Sequence, residues 1–290
     1  MAIPPPSREE PPKEVDAGTA AGQGQALYLR LMTEQLTGWH DPRAMLERAL
    51  KENLFLLYAQ KILPLRSGSP EPVCYEILLR LKQEEDNLLP PGGFFDIAES
   101  LGMLEQIDRW VVHNLLSWCA ARLKKNPDPP LPMMCVNVSL AALASPAFAN
   151  TVRRALQMSG VPPRALCFEI NEREVIEHPA AAQAFVAGLK PLGCRFTLDS
   201  FGSVKVSFLH LSGLPVDFVK IDGVIVESML QGPLGPATVK AIHMVCREVG
   251  IRTIAEFVET RQTLDKLREI GVDYVQGFGV SRPEPLGKLP

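Results

Sequence analysis

Residues 166–201 read LCFEINEREVIEHPAAAQAFVAGLKPLGCRFTLDSF. Two short apolar runs, LCFEI and RFTLD, flank AAAQAFVAGLKPLG, whose small and apolar residues suit a helix. Each run carries one acid near its C-terminal end, Glu169 in the first and Asp199 in the second. A carboxylate inside a strand of Leu, Phe and Ile is costly to bury unless it is paired or coordinated. The same design recurs along the chain: CYEILLR with Glu76, CVNVS with Asn137, FVKID with Lys220, TIAEF with Glu256 and YVQGF with Gln276. Seven polar residues of this kind, spread from position 76 to position 276, point to one shared site.

From residue 54 onward strand and helix patterns alternate. FLLYAQKILPL and CYEILLRL flank RSGSPEP, a turn-rich link expected to close a hairpin. Helical patterns follow in FFDIAESLG, IDRWVVHNLLSWCAARLKK, FANTVRRALQMSG, ATVKAIHMVCREVG and RQTLDKLREIG. Strands separated by helices pair in parallel through βαβ crossovers. About eight such units suit an α/β fold of the TIM-like (β/α)8 type, whose usual length is about 250 residues. A doubly wound open sheet fits less well, because there polar residues gather at one crevice rather than at nearly every strand end.

Residues 1–24 are rich in Pro, Glu, Ala and Gly and are expected to be a disordered linker. Residues 25–47 are expected to form a helical N-terminal arm, with the barrel domain over 48–290. Asp41-Pro42 reads as an N-cap and first helical residue. The net charge of −3 supplies no basic field for a nucleic-acid polymer. No apolar run approaches the roughly 20 residues a membrane span needs, and the N-terminus lacks the apolar core of a signal peptide. The six cysteines are scattered with no CxxC pair, so neither a zinc site nor a disulfide framework is expected. These features imply a cytoplasmic protein.

Glu76, Glu169, Asp199 and Asn137 make a hard, all-oxygen ligand set that suits Mg2+ or Mn2+. Lys220, near a strand end beside carboxylates, can orient a metal-bound water or stabilise charge. Such sites most often act on phosphate esters. None of the five histidines falls at a strand end. The residues alone leave open an enolase-like barrel in which Lys220 is the base.

The motifs resemble those of the bacterial EAL-domain family, which binds and hydrolyses cyclic di-GMP. The naming triplet stands here as Glu76-Ile77-Leu78. FFDIAESLGMLEQIDRWVV, VNVS, FEINE, LDSFGS, VDFVKIDG, IAEFVET and DYVQGFGVSRPEP follow in the family's order, covering about residues 48–286. The resemblance implies that Glu76, Asn137, Glu169 and Asp199 are ligands of a first metal. It implies that Lys220 and Glu256 position the metal-bound water, and that Glu172 steadies the loop after the fifth strand-end motif. Gln60, Leu78, Arg80, Glu259 and Gln276 match positions lining the nucleotide site. The family reaction opens one phosphodiester to give linear pGpG with two divalent ions. Fusion to a GGDEF or sensor domain and a homodimer are further expectations from the resemblance.

This chain departs from the pattern in places. Ile77 replaces Ala and is expected to be harmless, and Phe257 replaces Gly, likewise leaving the flanking glutamates Glu256 and Glu259 in place. Asn171 replaces Thr. Ser200 replaces an aspartate that helps to hold the second metal, and residues 202–207, GSVKVS, replace a more glycine-rich loop. A neutral hydroxyl in place of a carboxylate weakens that second position. The expectation is therefore a cyclic di-GMP receptor with one sound metal site and weak or absent hydrolysis. A fully active Mg2+- or Mn2+-dependent phosphodiesterase and a non-binding dimerisation scaffold are the alternatives.

Overall fold

The computed structural model describes residues 39–65, 73–83, 88–126, 131–203, 206–211 and 213–289. The expected linker 1–24, most of the expected arm 25–47, the RSGSPEP link and the altered loop residues Val204 and Lys205 lie outside these residues.

Eight strands close into a barrel: β1 (Phe55–Pro64), β2 (Cys74–Lys82), β4 (Met133–Asn137), β5 (Leu166–Asn171), β6 (Arg195–Phe201), β7 (Phe218–Ile221), β8 (Arg252–Ala255) and β9 (Tyr274–Val275). Two-residue strands extend the sheet outside the ring, β3 (Leu88–Leu89) on β2 and β10 (Glu284–Pro285) on β1. Neighbours from β2 through β9 pair in parallel. β1 is antiparallel to both of its barrel neighbours, β2 and β9. The TIM-like barrel therefore has one reversed strand, and the hairpin link is what reverses it, because a short connection joins only antiparallel strands.

Among the described residues the α-helices are α1 (Pro42–Lys51), α2 (Phe95–Ser100), α3 (Leu104–Lys125), α4 (Leu140–Leu143), α5 (Pro146–Ser159), α6 (Glu172–Glu177), α7 (Pro179–Leu189), α8 (Gly223–Glu227), α9 (Leu234–Glu248) and α10 (Arg261–Ile270). Their ends follow local chemistry. Asp41 accepts from the Ala44 N–H at 3.0 Å, with Pro42 at the first helical position. α1 runs across position 47 and places Leu46 and Ala49 in the core. Ser145 caps α5, and Gly160 ends it in the left-handed conformation.

Alternation along the strands divides the core in two. Outward residues such as Val136, Phe168, Phe196, Leu198 and Val219 pack against the helices. Inward residues Ile62, Cys74, Met133, Cys135, Cys167, Phe218, Ile254 and Tyr274 form a separate apolar plug that fills the lumen. One step further along each strand the inward positions turn polar: Glu76, Asn137, Glu169, Lys220 and Gln276. The plug is a floor, and the site is built on it at the C-terminal end of the parallel strands, where barrel sites are found. All six cysteines are buried free thiols.

Candidate functional site

The centre of the site is an ammonium among carboxylates. Lys220 Nζ lies 2.9 Å from Glu76 Oε2, 3.0 Å from Glu169 Oε2, 3.2 Å from Glu256 Oε1 and 3.7 Å from Asp199 Oδ1. Lys220 and Glu169 are each 1 % exposed. Burial alone would lower the Lys220 pKa, but the four acids more than reverse this and hold it well above its usual value. One positive charge does not satisfy four negative ones. Burial, together with the neighbouring acids, pushes Glu169 and Asp199 up and takes Glu256 to about 8. Glu76 differs. Burial pushes it up, but Lys220 and donors from Gln276 and Asn137 bring it below the ordinary value.

The hydrogen bonds explain that asymmetry. Asn137 Nδ2 donates to Glu76 Oε1 at 2.8 Å, and Gln276 Nε2 donates to Glu76 Oε2 at 2.5 Å. Gln276 Nε2 also donates to Gln60 Oε1 at 3.1 Å, and Gln60 Nε2 to the Ser281 carbonyl at 2.9 Å. Glu169 Oε1 and Asp199 Oδ1 are buried and make no hydrogen bond among the described residues.

Asp199 and Ser200 sit on a bulge. β6 pairs with β7 through Leu198↔Val219 and then Phe201↔Ile221, so two residues face one. Ser200 takes φ +55°, and its hydroxyl donates to Asp199 Oδ2 at 3.3 Å. Glu172 lies apart from the central cluster, fully buried, and accepts from the Gly202 N–H at 2.9 Å just past the bulge.

Two cavities open on this cluster. One of about 320 Å³ is lined by Gln60, Glu76, Leu78, Arg80, Glu256, Glu259 and Gln276, together with Phe257, Phe278 and Pro283. It brings all five expected nucleotide-lining residues together. Phe257 leaves Glu256 and Glu259 on the cavity wall but carries a backbone cost. It takes φ +52°, which is unfavourable for a bulky side chain, and its ring covers Gly223 so closely that a Cβ there would lie 2.4 Å from Phe257 Cδ2. The substitution is thus not conformationally neutral. Phe257 and Phe278 are 58 % and 55 % exposed at the cavity rim.

The second cavity, about 350 Å³, was not foreseen from the sequence. It runs from Asn137, Glu169 and Asp199 to Phe95, Asp108, Leu140 and Glu174. Asp108 accepts from both the N–H and the hydroxyl of Ser139, at 3.0 and 2.6 Å, and burial takes its pKa to about 6. A signal existed, since Asp108 falls on the apolar face of α3 with Leu104, Ile107, Val111 and Leu115. Burial and the Asp108 charge push Glu174 to about 7, and its Oε2 makes no hydrogen bond among the described residues. A carboxyl raised by folding favours the fold while protonated, so this contribution is complete below about pH 4.5 and lost as pH rises to about 7. Glu174→Gln should therefore leave the melting temperature unchanged near pH 4.5 and raise it by about 2–4 °C at pH 8, what about 1 kcal/mol is worth in a domain this size. Thermal unfolding at the two pH values checks this.

The EAL domain family model matches residues 43–283. The chain belongs to the EAL domain family. Over 241 residues this EAL domain is 34 % identical to the cyclic di-GMP phosphodiesterase PdeB of Shewanella oneidensis, which covers 82 % of the chain and 28 % of PdeB. It is 30 % identical to the cyclic di-GMP phosphodiesterase PdeF of Escherichia coli, over 83 % of the chain and 31 % of PdeF. It thus spans less than a third of either relative. Among solved structures, the FimX EAL domain of Pseudomonas aeruginosa bound to c-di-GMP superposes with a TM-score of 0.77 at 30 % identity, over 84 % of this chain and 96 % of that one. The MucR phosphodiesterase in complex with c-di-GMP gives 0.77 at 28 % identity, over 86 % and 99 %. Among the described residues no helix is long and apolar enough to cross a membrane.

Proposed function

We propose that this EAL domain is a cyclic di-GMP receptor whose hydrolytic step is weak or absent. The observation that carries the reading is the acid-ringed Lys220 at the barrel mouth, opening into a cavity that has Arg80 on its wall. A guanidinium fork suits a phosphodiester, and exposed aromatic faces such as Phe257 and Phe278 suit a nucleobase.

A divalent cation fits the donor set. Four buried or half-buried acids share one ammonium, and two of their oxygens, Glu169 Oε1 and Asp199 Oδ1, have no hydrogen-bond partner among the described residues. Asn137 commits its Nδ2 to Glu76, which leaves its carbonyl oxygen free of that bond. Glu76, Asn137, Glu169 and Asp199 would hold the ion after small side-chain rotations, because among the described residues no three acidic, His or Cys side chains already form a metal cage. Once bound, Mg2+ or Mn2+ would polarise a water and the phosphoryl oxygens. Lys220 and Glu256, paired at 3.2 Å, would hold and orient that water. Glu172 holds the Gly202 backbone and so the loop beyond the bulge. Ser200 sets the limit on chemistry, because its neutral hydroxyl stands beside Asp199 where a second carboxylate would help to hold a second ion. A fully active phosphodiesterase is the second reading, supported by the intact Lys220–Glu256–Asp199 grouping.

Calorimetric titration with cyclic di-GMP in Ca2+ tests the receptor reading. Saturable binding is expected, and its absence would leave only a scaffold barrel. Phe257→Gly should weaken binding about tenfold, the scale of one base–aromatic stack. The same substitution should keep or raise the melting temperature, since glycine relieves the left-handed backbone. A variant that binds as tightly as the wild type would remove Phe257 from the ligand wall.

A further inference from the structure

Resting on the nucleotide reading above, we propose that Gly223, which is on the wall of neither cavity, is a positioning residue that aims the Phe257 ring at the bound base. The two residues stand at neighbouring strand ends. Gly223 opens α8 three residues after Lys220, and Phe257 follows Glu256 just past β8. β7 and β8 pair in parallel through Lys220↔Ile254 and Ile221↔Ala255. Beyond that pairing the two chains touch again twice, as the Lys220–Glu256 ion pair at 3.2 Å and as the Gly223–Phe257 contact.

The contact takes the space a side chain would fill. A Cβ on Gly223 would lie 2.4 Å from Phe257 Cδ2, 2.7 Å from Cγ and 3.1 Å from Cβ. Carbon atoms pack best at about 3.5–4.0 Å. Turning the ring about χ1 relieves the first two contacts but not the third, because Phe257 Cβ stays where it is. The backbone is pinned on both sides of this φ +52° residue. Glu256 N–H donates to the Ile221 carbonyl at 3.3 Å, and Val258 N–H donates to the Gln276 carbonyl at 2.9 Å.

The seat is itself fixed. Gly223 is buried, and Asp222 caps α8 by accepting from the Val224 N–H at 2.9 Å. The Asp222 N–H donates to the Phe201 carbonyl at 3.2 Å, which ties α8 to the end of β6. Ile225 of α8 packs over Gly202, where a Cβ would lie 2.6 Å from Ile225 Cδ1. A side chain that must be ordered on binding costs affinity, and one ordered beforehand costs less. Phe257 is exposed at the cavity rim yet seated on α8, so the fold has already oriented it for stacking.

The test titrates cyclic di-GMP in Ca2+ into wild type, Gly223→Ala, Phe257→Gly and the double variant. Alanine suits a helical backbone better than glycine, so the Phe257 ring is the group that must move. Being exposed, it has room to swing outward, and thermal unfolding should show every variant folded. Gly223→Ala should weaken binding about 3–10-fold, and by no more than loss of the ring itself. In the Phe257→Gly background the same substitution should change affinity by less than about twofold, because its effect passes through the ring. Equal losses in the two backgrounds would place the effect of Gly223 elsewhere and overturn the assignment. So would a Gly223→Ala variant that binds as tightly as wild type, or one that does not fold, which would make the seat a requirement of the fold. Wild type that takes no cyclic di-GMP, or Phe257→Gly that binds as tightly as wild type, would instead overturn the nucleotide reading, and the positioning role with it.

Discussion

Replacing Lys220 with Met should cost this domain more stability than any other single change at the site. The ammonium is 1 % exposed and lies within 3.7 Å of four carboxylates. Removing one member of a buried ion cluster strands the others, at about 3–5 kcal/mol. For a domain of this size that is a fall of roughly 10 °C in melting temperature. The fall should depend on pH in a definite direction. Glu256, taken to about 8 by burial and neighbouring acids, has a folded value above its unfolded one. Its contribution is therefore present at low pH and lost between about pH 4.5 and 8. Without Lys220 the acids hold their protons more strongly, so the loss steepens over that range. Near pH 5 the variant should melt close to wild type, and near pH 8 far below it. Thermal unfolding at both values decides, and a pH-independent difference would mean that Lys220 acts mainly by packing.

Ser200→Asp should produce the largest change in chemistry. The position takes φ +55° on the β6 bulge. Aspartate is among the side chains that tolerate this region, so the backbone should accept it. The Ser200 hydroxyl reaches Asp199 Oδ2 at 3.3 Å, which puts a new carboxylate beside the first. Restoring a stabiliser of the reacting phosphate is worth about 10²–10³ in rate, so release of pGpG with Mn2+ should rise by about that factor. Like-charge crowding should lower metal-free stability by about 1 kcal/mol, and Mn2+ should recover more melting temperature in the variant than in wild type. A variant with no gain in pGpG would place the limit in the loop beyond Gly202 instead.

The site was legible because burial of a polar side chain has few solutions. Glu169 and Asp199 stand in otherwise apolar runs, and each meets the same Lys220 in the folded chain. Alternation of strand and helix made the barrel readable for the same reason that it makes parallel pairing necessary. The Asp41-Pro42 cap was readable because capping is local. Features that depend on distant packing were less legible. That β1 is antiparallel to β9 as well as to β2 follows from ring closure, which no window of sequence contains. The left-handed backbone of Phe257 is set by its seat over Gly223, so the side chain alone gave no sign of it. Glu174 is half-buried beside Leu140 of α4, which lies more than thirty residues earlier, whereas Asp108 did leave a trace as a lone acid on the apolar stripe of α3.

The most direct measurement is the yield of pGpG from a wild-type sample saturated with cyclic di-GMP in Ca2+ and then exchanged into Mg2+ or Mn2+. Tight binding with little or no pGpG over many minutes is expected. Rapid, complete conversion by the same sample would show that Ser200 is tolerated by the chemistry and that the domain is a working phosphodiesterase.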